Sequence, residues 1–364
     1  MALRSIHDGV IMTDKNGVIK FINSAAANMT GYGENAIGLD YGLVIKLESK
    51  EDFEKCCLQV FKWQYERNAV YKKWCELLNR KPENTTQSNQ IPFLPISFFR
   101  THKVVSFSEE PKGFFKSSGT TSNLQSKHWI RDYDIYERSF TKAFERFFGK
   151  ADDYCFLAML PNYQEQLNSS LIYMIDCLIK SSRAKNSGFY PYELDKVAQL
   201  LIENEEKNIK TILFGVSYAL LDLAEKHTFK LKHTTVFETG GMKGRRKEIS
   251  KRELHSILCN AFGTDSIASE YGMCELFSQA YAVSDGSFRC PPWLKVSIKE
   301  TNDPFSECKQ GKSGIINIID LANIDSCSFI ATEDLGRINT DGSFEVLGRA
   351  DNSVVKGCNL MYEE

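Results

Sequence analysis

The residues with the most chemical promise lie in "FFKSSGTTSNLQSKHW", residues 114–129. This stretch packs Ser117, Ser118, Gly119, Thr120, Thr121 and Ser122 between Lys116 and Lys127. Hydroxyls, backbone N–H groups and flanking ammonium groups together suit a polyphosphate. The spacing is not the GxxxxGK[ST] of the common nucleotide hydrolases. Alone, such a run reads as readily as a solvated loop. Three later words sharpen it: "YGMCE" at 271–275, "ATEDLGR" at 331–337 and "LGRADNSVVKGCNLM" at 347–361. They bring an aromatic face at Tyr271, carboxylates at Glu275 and Asp334, a guanidinium at Arg349 and a thiol at Cys358. Such a set suits positioning and charge neutralisation at phosphorus.

In this order the four words resemble the acyl-adenylate-forming superfamily. Its pattern is a Ser/Thr/Gly phosphate loop, then YGxTE, a TGD-like turn and GRxD at a hinge. "QIPFLPISFFRTHKV", "ETGGMKGRRKEI" and the terminal "GRADNSVVKGCNLM" narrow the likeness. Residues ~51–364 look like the acyl-protein synthetases, the fatty-acid-activating subunits of the fatty acid reductase complexes known from bacterial luminescence. The resemblance implies ATP and Mg2+ as cofactors, a fatty or other apolar carboxylic acid as substrate, and an acyl-CoA reductase-like partner. It also implies a chain that stops soon after the hinge, as this one does past Asp351. Two other readings stay open: a coenzyme A ligase like the phenylacetate-activating enzymes, and a sensor with an inactive adenylation fold.

The implied roles fall on named residues. Ser117, Ser118, Gly119, Thr120 and Thr121 would cradle the triphosphate, and Lys127 would add a point charge on the departing pyrophosphate. Glu275 would hold magnesium, which takes few protein carboxylates and keeps phosphate oxygens and waters. Tyr271 would offer a flat face to adenine. Asp334 would accept from the ribose hydroxyls, and Arg349 would clamp phosphate or ribose. Gly240 and Gly241 would let backbone approach the nucleotide. Cys358, close in sequence to Lys356 and Arg349, would take the acyl group as a thioester. This chain departs from the superfamily pattern at Cys274, where Thr is usual, at Ser122, where Gly is usual, and at Thr332–Asp334, where the turn lacks its Gly.

Alternating elements must position these words. "GVIMTDKNGVIKFIN" reads as two strands around a turn, with short helices after it, and resembles the first half of a PAS sensor domain. Residues 51–78 have helical periodicity, and "IPFLPISFFRT" reads as extended. Strands are expected at "YCFLAML", "KTILFGV", "TTVFETGG" and "SIASEYG", with helices between them. One helix should place Leu194, Val197, Leu201 and Ile202 on a single apolar stripe, and another should open with a Ser250–Glu253 capping box. From about Pro291 the chain turns strand-rich. The expected fold is α/β: an adenylate-forming large domain with mostly parallel sheets, a strand-rich C-terminal part and a small α+β N-terminal fragment. The expected boundaries are a truncated PAS-like fragment at 1–48, the acyl-adenylate-forming domain at 49–345, and a hinge with a short tail at 346–364.

Composition narrows the class. The 364 residues are 42% hydrophobic and 25% charged, with a net charge of -2. That balance gives no field favouring nucleic acid or anionic membrane. "MALRSIHDG" lacks the apolar core of a signal peptide, and "SSLIYMIDCLIKSS" is too short and charged to span a bilayer. The 11 cysteines include no CxxC pair, which fits free thiols in a reducing cytoplasm. "QGKSG" reads as a turn, "KGRRKEISKR" as a solvated face, and the six histidines lack metal spacing.

Overall fold

A computed structural model describes residues 49–117, 125–161, 168–240, 249–284, 286–303 and 305–350, with the backbone alone of 11–13 and 19–22. The two N-terminal strands, β1 (Ile11–Thr13) and β2 (Ile19–Ile22), pair antiparallel. The short helices expected after them lie outside the described residues, as does the 346–364 tail beyond residue 350.

Residues 51–78 form two helices, Lys50–Arg67 and Ala69–Leu77, separated at Asn68. Ser49 caps the first and Asn68 caps the second, each through a side-chain oxygen that accepts a free N–H. The first helix belongs to the enzyme body: Gln64 Nε2 donates to the carbonyls of Asn323 and Ile324, both at 3.0 Å. "IPFLPISFFRT" is not extended throughout. β3 (Leu94–Pro95) is followed by a single helical turn, Phe98–Thr101, because no proline follows Ser97 to forbid it.

The central sheet has six strands in the order β11-β10-β9-β8-β6-β7. They are β6 (Cys155–Met159), β7 (Gly188–Phe189), β8 (Thr211–Val216), β9 (Thr234–Thr239), β10 (Ala268–Tyr271) and β11 (Ala280–Ala282). All neighbours are parallel except β10 and β11. β6 and β8 are buried along their whole length, as strands covered by helices on both faces must be. Helix Asp134–Phe148 packs Phe144 and Phe148 on one face, against Phe156 and Phe237. Helices Ser217–Lys226 and Lys251–Phe262 meet the side chain of Glu238 on the other face. Ser250 caps the latter helix, accepting from Glu253 N at 3.1 Å, which is one of the two bonds of the expected capping box. In helix Leu194–Glu206, Val197 and Leu201 are buried, but Ile202 is 52% exposed. The stripe there is narrower than the sequence suggests, because the next position along from Leu201 already turns to solvent.

A second sheet joins β12 (Leu294–Lys299), β13 (Gly314–Asp320), β14 (Phe329–Ile338) and β15 (Phe344–Arg349) antiparallel, with β3 pairing parallel to β14. Asp320 stitches the two sheets together. Its buried carboxylate accepts from the N–H groups of Phe277 and Ser278 and from Ser278 Oγ. A hairpin of β4 (Gly113–Lys116) and β5 (Lys127–Ile130) flanks the Ser/Thr-rich run.

Candidate active site

The hairpin sets the base of the phosphate-loop candidate. Lys116 and Lys127 are cross-strand partners, and Ser117 Oγ accepts from Ser126 N at 3.1 Å. Ser117 therefore closes the neck of the loop. Ser118, Gly119, Thr120, Thr121 and Ser122 lie outside the described residues. Lys127 projects to the exposed face, with Nζ 5.5 Å from the Phe114 ring and 5.9 Å from Trp129. One residue on, His128 points inward and is fully buried. Its Nδ1 bonds the carbonyl of Cys274 at 2.8 Å. Burial pushes the imidazole down to about 4, so it is neutral at pH 7 and Nδ1 carries the donated proton. This bond ties the loop's strand to the segment that bears Glu275. The sequence reading dismissed His128 because it sought metal spacing, and no periodicity marks a histidine that pins two distant segments.

β10 ends at Tyr271, whose ring packs against Phe288 and Phe344 at 5.7 and 5.5 Å. Its hydroxyl donates to Asp334 Oδ2 at 2.8 Å. Arg349 Nε lies 3.5 Å from Asp334 Oδ1. Asp334 and Arg349 are partners in the β14–β15 ladder, so the sheet itself holds this carboxylate and guanidinium together. Thr332, Glu333 and Asp334 were expected to form a turn. They lie within β14 instead, because Thr332 Oγ1 is bonded to the Ile316 carbonyl across the ladder and Asp334 N donates back to Thr332 Oγ1. Burial pushes Asp334 above the usual carboxylate range, against the pull of Tyr271 and Arg349. Arg349 is 70% exposed.

Glu275 follows β10 and is buried. Among the described residues no cation is paired with it, and its backbone carbonyl is held by Asn323 Nδ2 at 2.7 Å. A buried carboxylate without a cationic partner fits a divalent ion whose other positions come from phosphate oxygens and water. Among the described residues there is no cluster of three or more metal-ligating side chains. Burial and the adjacent Glu275 push the Cys274 thiol well up, so it contributes packing and no nucleophile. Gly240 adopts φ 69°, which favours glycine, and its carbonyl accepts from Ser217 Oγ at 3.0 Å. Gly241 and Cys358 lie outside the described residues. Tyr271, Asp334 and Arg349 thus converge, Gly240 sits at the end of neighbouring β9, and Lys127 stands on the exposed face of the hairpin.

Sequence reasoning passed over two carboxylates at these strand ends. Glu238 and Glu270 are nearly opposite in the β9–β10 ladder and face opposite sides. Glu238 accepts from Ser269 Oγ at 2.8 Å and Ser217 Oγ at 3.2 Å, and pairs with Lys251 at 3.1 Å and His255 at 3.4 Å. Burial alone would raise it, but these partners carry it down to about 2. Glu270 accepts from Thr239 Oγ1 at 3.1 Å. Burial pushes it up to about 7, and the charge on Glu238 adds to the rise. A charged residue within each predicted strand was the available signal.

The sequence matches the family model described as acyl-protein synthetase, LuxE, over residues 42–364. A PAS fold model matches residues 2–64. The long-chain-fatty-acid--luciferin-component ligase of Aliivibrio fischeri is 22% identical over 340 residues, covering 86% of this chain and 88% of that protein. Among solved structures, 2-hydroxyisobutyryl-CoA ligase in the postadenylation state aligns with a TM-score of 0.63 and 14% identity. That alignment covers 83% of this chain and 68% of the other. ATP-bound MatB from Rhodopseudomonas palustris aligns with a TM-score of 0.52 and 15% identity over 67% of this chain. The aligned region is 49% of MatB, so the chain spans about half the length of that enzyme. These likenesses give the fold: the adenylate-forming α/β architecture.

Proposed function

This chain belongs to the acyl-protein synthetase family of ligases, and on that premise we propose that it activates a fatty or other apolar carboxylic acid with ATP and passes the acyl group to Cys358. A carboxylate oxygen of the acid attacks the α-phosphorus of ATP, and pyrophosphate leaves. The Cys358 thiolate then attacks the acyl carbon, and AMP leaves with the electron pair of the broken C–O bond. A partner protein of the acyl-CoA reductase type would consume the thioester.

The observation that carries this reading is the convergence of Tyr271, Asp334 and Arg349 where the two sheets meet. Asp334 offers an acceptor to the ribose hydroxyls, held in place by the Tyr271 hydroxyl. Arg349 supplies an exposed fork for phosphate or ribose. Ser117 fixes the neck of the loop that would hold the phosphates, with Lys127 beside it. Mg2+, when bound through Glu275, neutralises charge on the phosphate oxygens. Burial pushes the Cys75 and Cys290 thiols up to about 12, so they stay protonated and leave the transfer to another cysteine. Free thiols fit a cytoplasmic setting. The Gln64 contacts tie the helix that starts at Lys50 to the enzyme body and so support a boundary near residue 49, although the PAS match runs on to residue 64; the acyl-accepting tail would begin after about 346.

The test separates the two half-reactions. Cys358→Ser should keep ATP–pyrophosphate exchange but lose thiol-labile acyl labelling of the protein, because a serine hydroxyl ionises too little to replace the thiolate. Undiminished labelling would overturn the cysteine assignment. Acyl-CoA formed at the parent rate by that variant would favour a coenzyme A ligase, and absence of any ATP dependence in the parent would favour an inactive sensor.

A further inference from the structure

Glu270 stands one residue before Tyr271, and strand alternation sends its side chain to the opposite face of β10. On that face Thr239 satisfies Oε2, while Oε1 has no hydrogen-bond partner among the described residues. Oε1 lies over Gly272, where a Cβ would stand 2.3 Å from it. Only glycine leaves the carboxyl that position. Directly across the ladder from Glu270 is Tyr281. Its hydroxyl is buried and also lacks a partner among the described residues. The Tyr281 ring is walled by Phe147, Phe148 and Phe237 at 5.4, 5.3 and 6.2 Å.

Native interiors seldom leave a buried hydroxyl such as that of Tyr281 unpaired, and a mostly aromatic wall with a few convergent polar atoms is how small-molecule sites are built. A hydroxyl suits both atoms, since it donates to a carboxyl oxygen and accepts from a phenol. An ammonium group offers donors only, and a bare alkyl chain leaves both atoms unpaired. The nucleotide-side residue Tyr271 occupies the other face, so an acid joined to the nucleotide at this strand end runs its chain over Glu270. We propose that Glu270 and Tyr281 determine specificity, and that the acid activated by this chain is a fatty acid carrying a hydroxyl on its hydrocarbon chain. The proposal rests on the adenylation reading above. Glu270 keeps an acceptor oxygen in either protonation state, so recognition survives across neutral pH.

The experiment is ATP–pyrophosphate exchange by the full chain with matched pairs of fatty acids, hydroxylated and unsubstituted, at equal chain length. Hydroxyl position is varied along the chain. For at least one position the parent should favour the hydroxy acid in kcat/KM by about tenfold or more, since buried polar groups built for a hydroxyl discriminate strongly against its absence. Glu270→Ala and Tyr281→Phe should each bring that ratio toward one, mainly through the hydroxy acid. Tyr281→Phe removes a hydroxyl with no partner among the described residues, so it guards against a simple folding defect, and thermal melting of both variants accompanies the assay. Robust exchange with equal use of both acids at every hydroxyl position overturns this inference alone. An unchanged ratio in both folded variants does the same. Exchange with neither acid overturns the adenylation reading and this inference with it.

Discussion

Glu238 and Glu270 end neighbouring strands, yet the two faces of the sheet treat them in opposite ways. On one face Glu238 is surrounded by two hydroxyls, an ammonium and an imidazole, all from elements that pack there. On the other, Glu270 has a single hydroxyl partner and an aromatic wall. The first carboxylate holds helix Lys251–Phe262 onto the strand end. The second is left with bonding capacity the fold does not use. Strand alternation alone produces the difference, since one step along β10 exchanges Ser269, which bonds Glu238, for Glu270.

The comparison breaks most visibly at Glu238. Glu238→Gln keeps the shape but removes the charge that Lys251 and His255 face. Loss of one member of a buried pair costs roughly 3–5 kcal/mol, and the part-exposed Lys251 brings the expected loss to about 2–4 kcal/mol. Urea denaturation at pH 7 would measure it. A loss below about 0.5 kcal/mol, the level of an ordinary surface substitution, would mean that Glu238 is not the tie described.

The two carboxylates should also give stability opposite pH slopes. Glu238 falls from its ordinary 4.5 to about 2, so its contribution is present above 4.5 and is lost as pH drops through 2. Glu270 rises from 4.5 to about 7. Between those values the folded state keeps a proton that the unfolded state has released, so stability falls as pH rises from 4.5 to 7 and then levels. Glu270→Gln removes that slope. Relative to the parent, the variant should gain roughly 1–3 kcal/mol between pH 4.5 and 7.5, a range lowered for the partial exposure of Glu270. Denaturation of both proteins across that range is the measurement, and parallel curves would refute the raised acidity.

The same alternation explains what the sequence disclosed and what it hid. The central strands stood out because β6 and β8 are continuous apolar runs bounded by polar turns, which is what two-sided burial requires. The words around Tyr271, Asp334 and Arg349 were legible as words. Their geometry was not: Asp334 read as a turn residue because Thr-Glu-Asp resembles one, while the Thr332 hydroxyl bonded to the Ile316 carbonyl and the pairing of Asp334 with Arg349 keep it in a strand. His128 and Glu270 act through partners 146 residues away in the chain or directly across a sheet, and no local pattern marks either. Ile202 shows the converse, an apolar residue beside a buried stripe that no neighbouring element covers.

The smallest expected effect sharpens the contrast most, because it sets one hydroxyl against another across the same two strands. Ser269 Oγ donates to the charged Glu238 at 2.8 Å, and both are buried. Ser269→Ala should cost about 1.5–3 kcal/mol, since it removes a hydrogen bond to an ion and leaves that ion less satisfied. The Tyr281 hydroxyl is equally buried but has no partner among the described residues. Tyr281→Phe forfeits no such bond and relieves the burial of an unpaired polar atom, so stability should stay within about 0.5 kcal/mol or rise. Thermal or urea unfolding of both variants without any ligand decides it. If Tyr281→Phe destabilises as much as Ser269→Ala, the phenol is bonded within the free protein, and the Glu270 face is then a finished structural interior like the one opposite. If it does not, the unused hydroxyl is a group whose partner arrives from outside the chain.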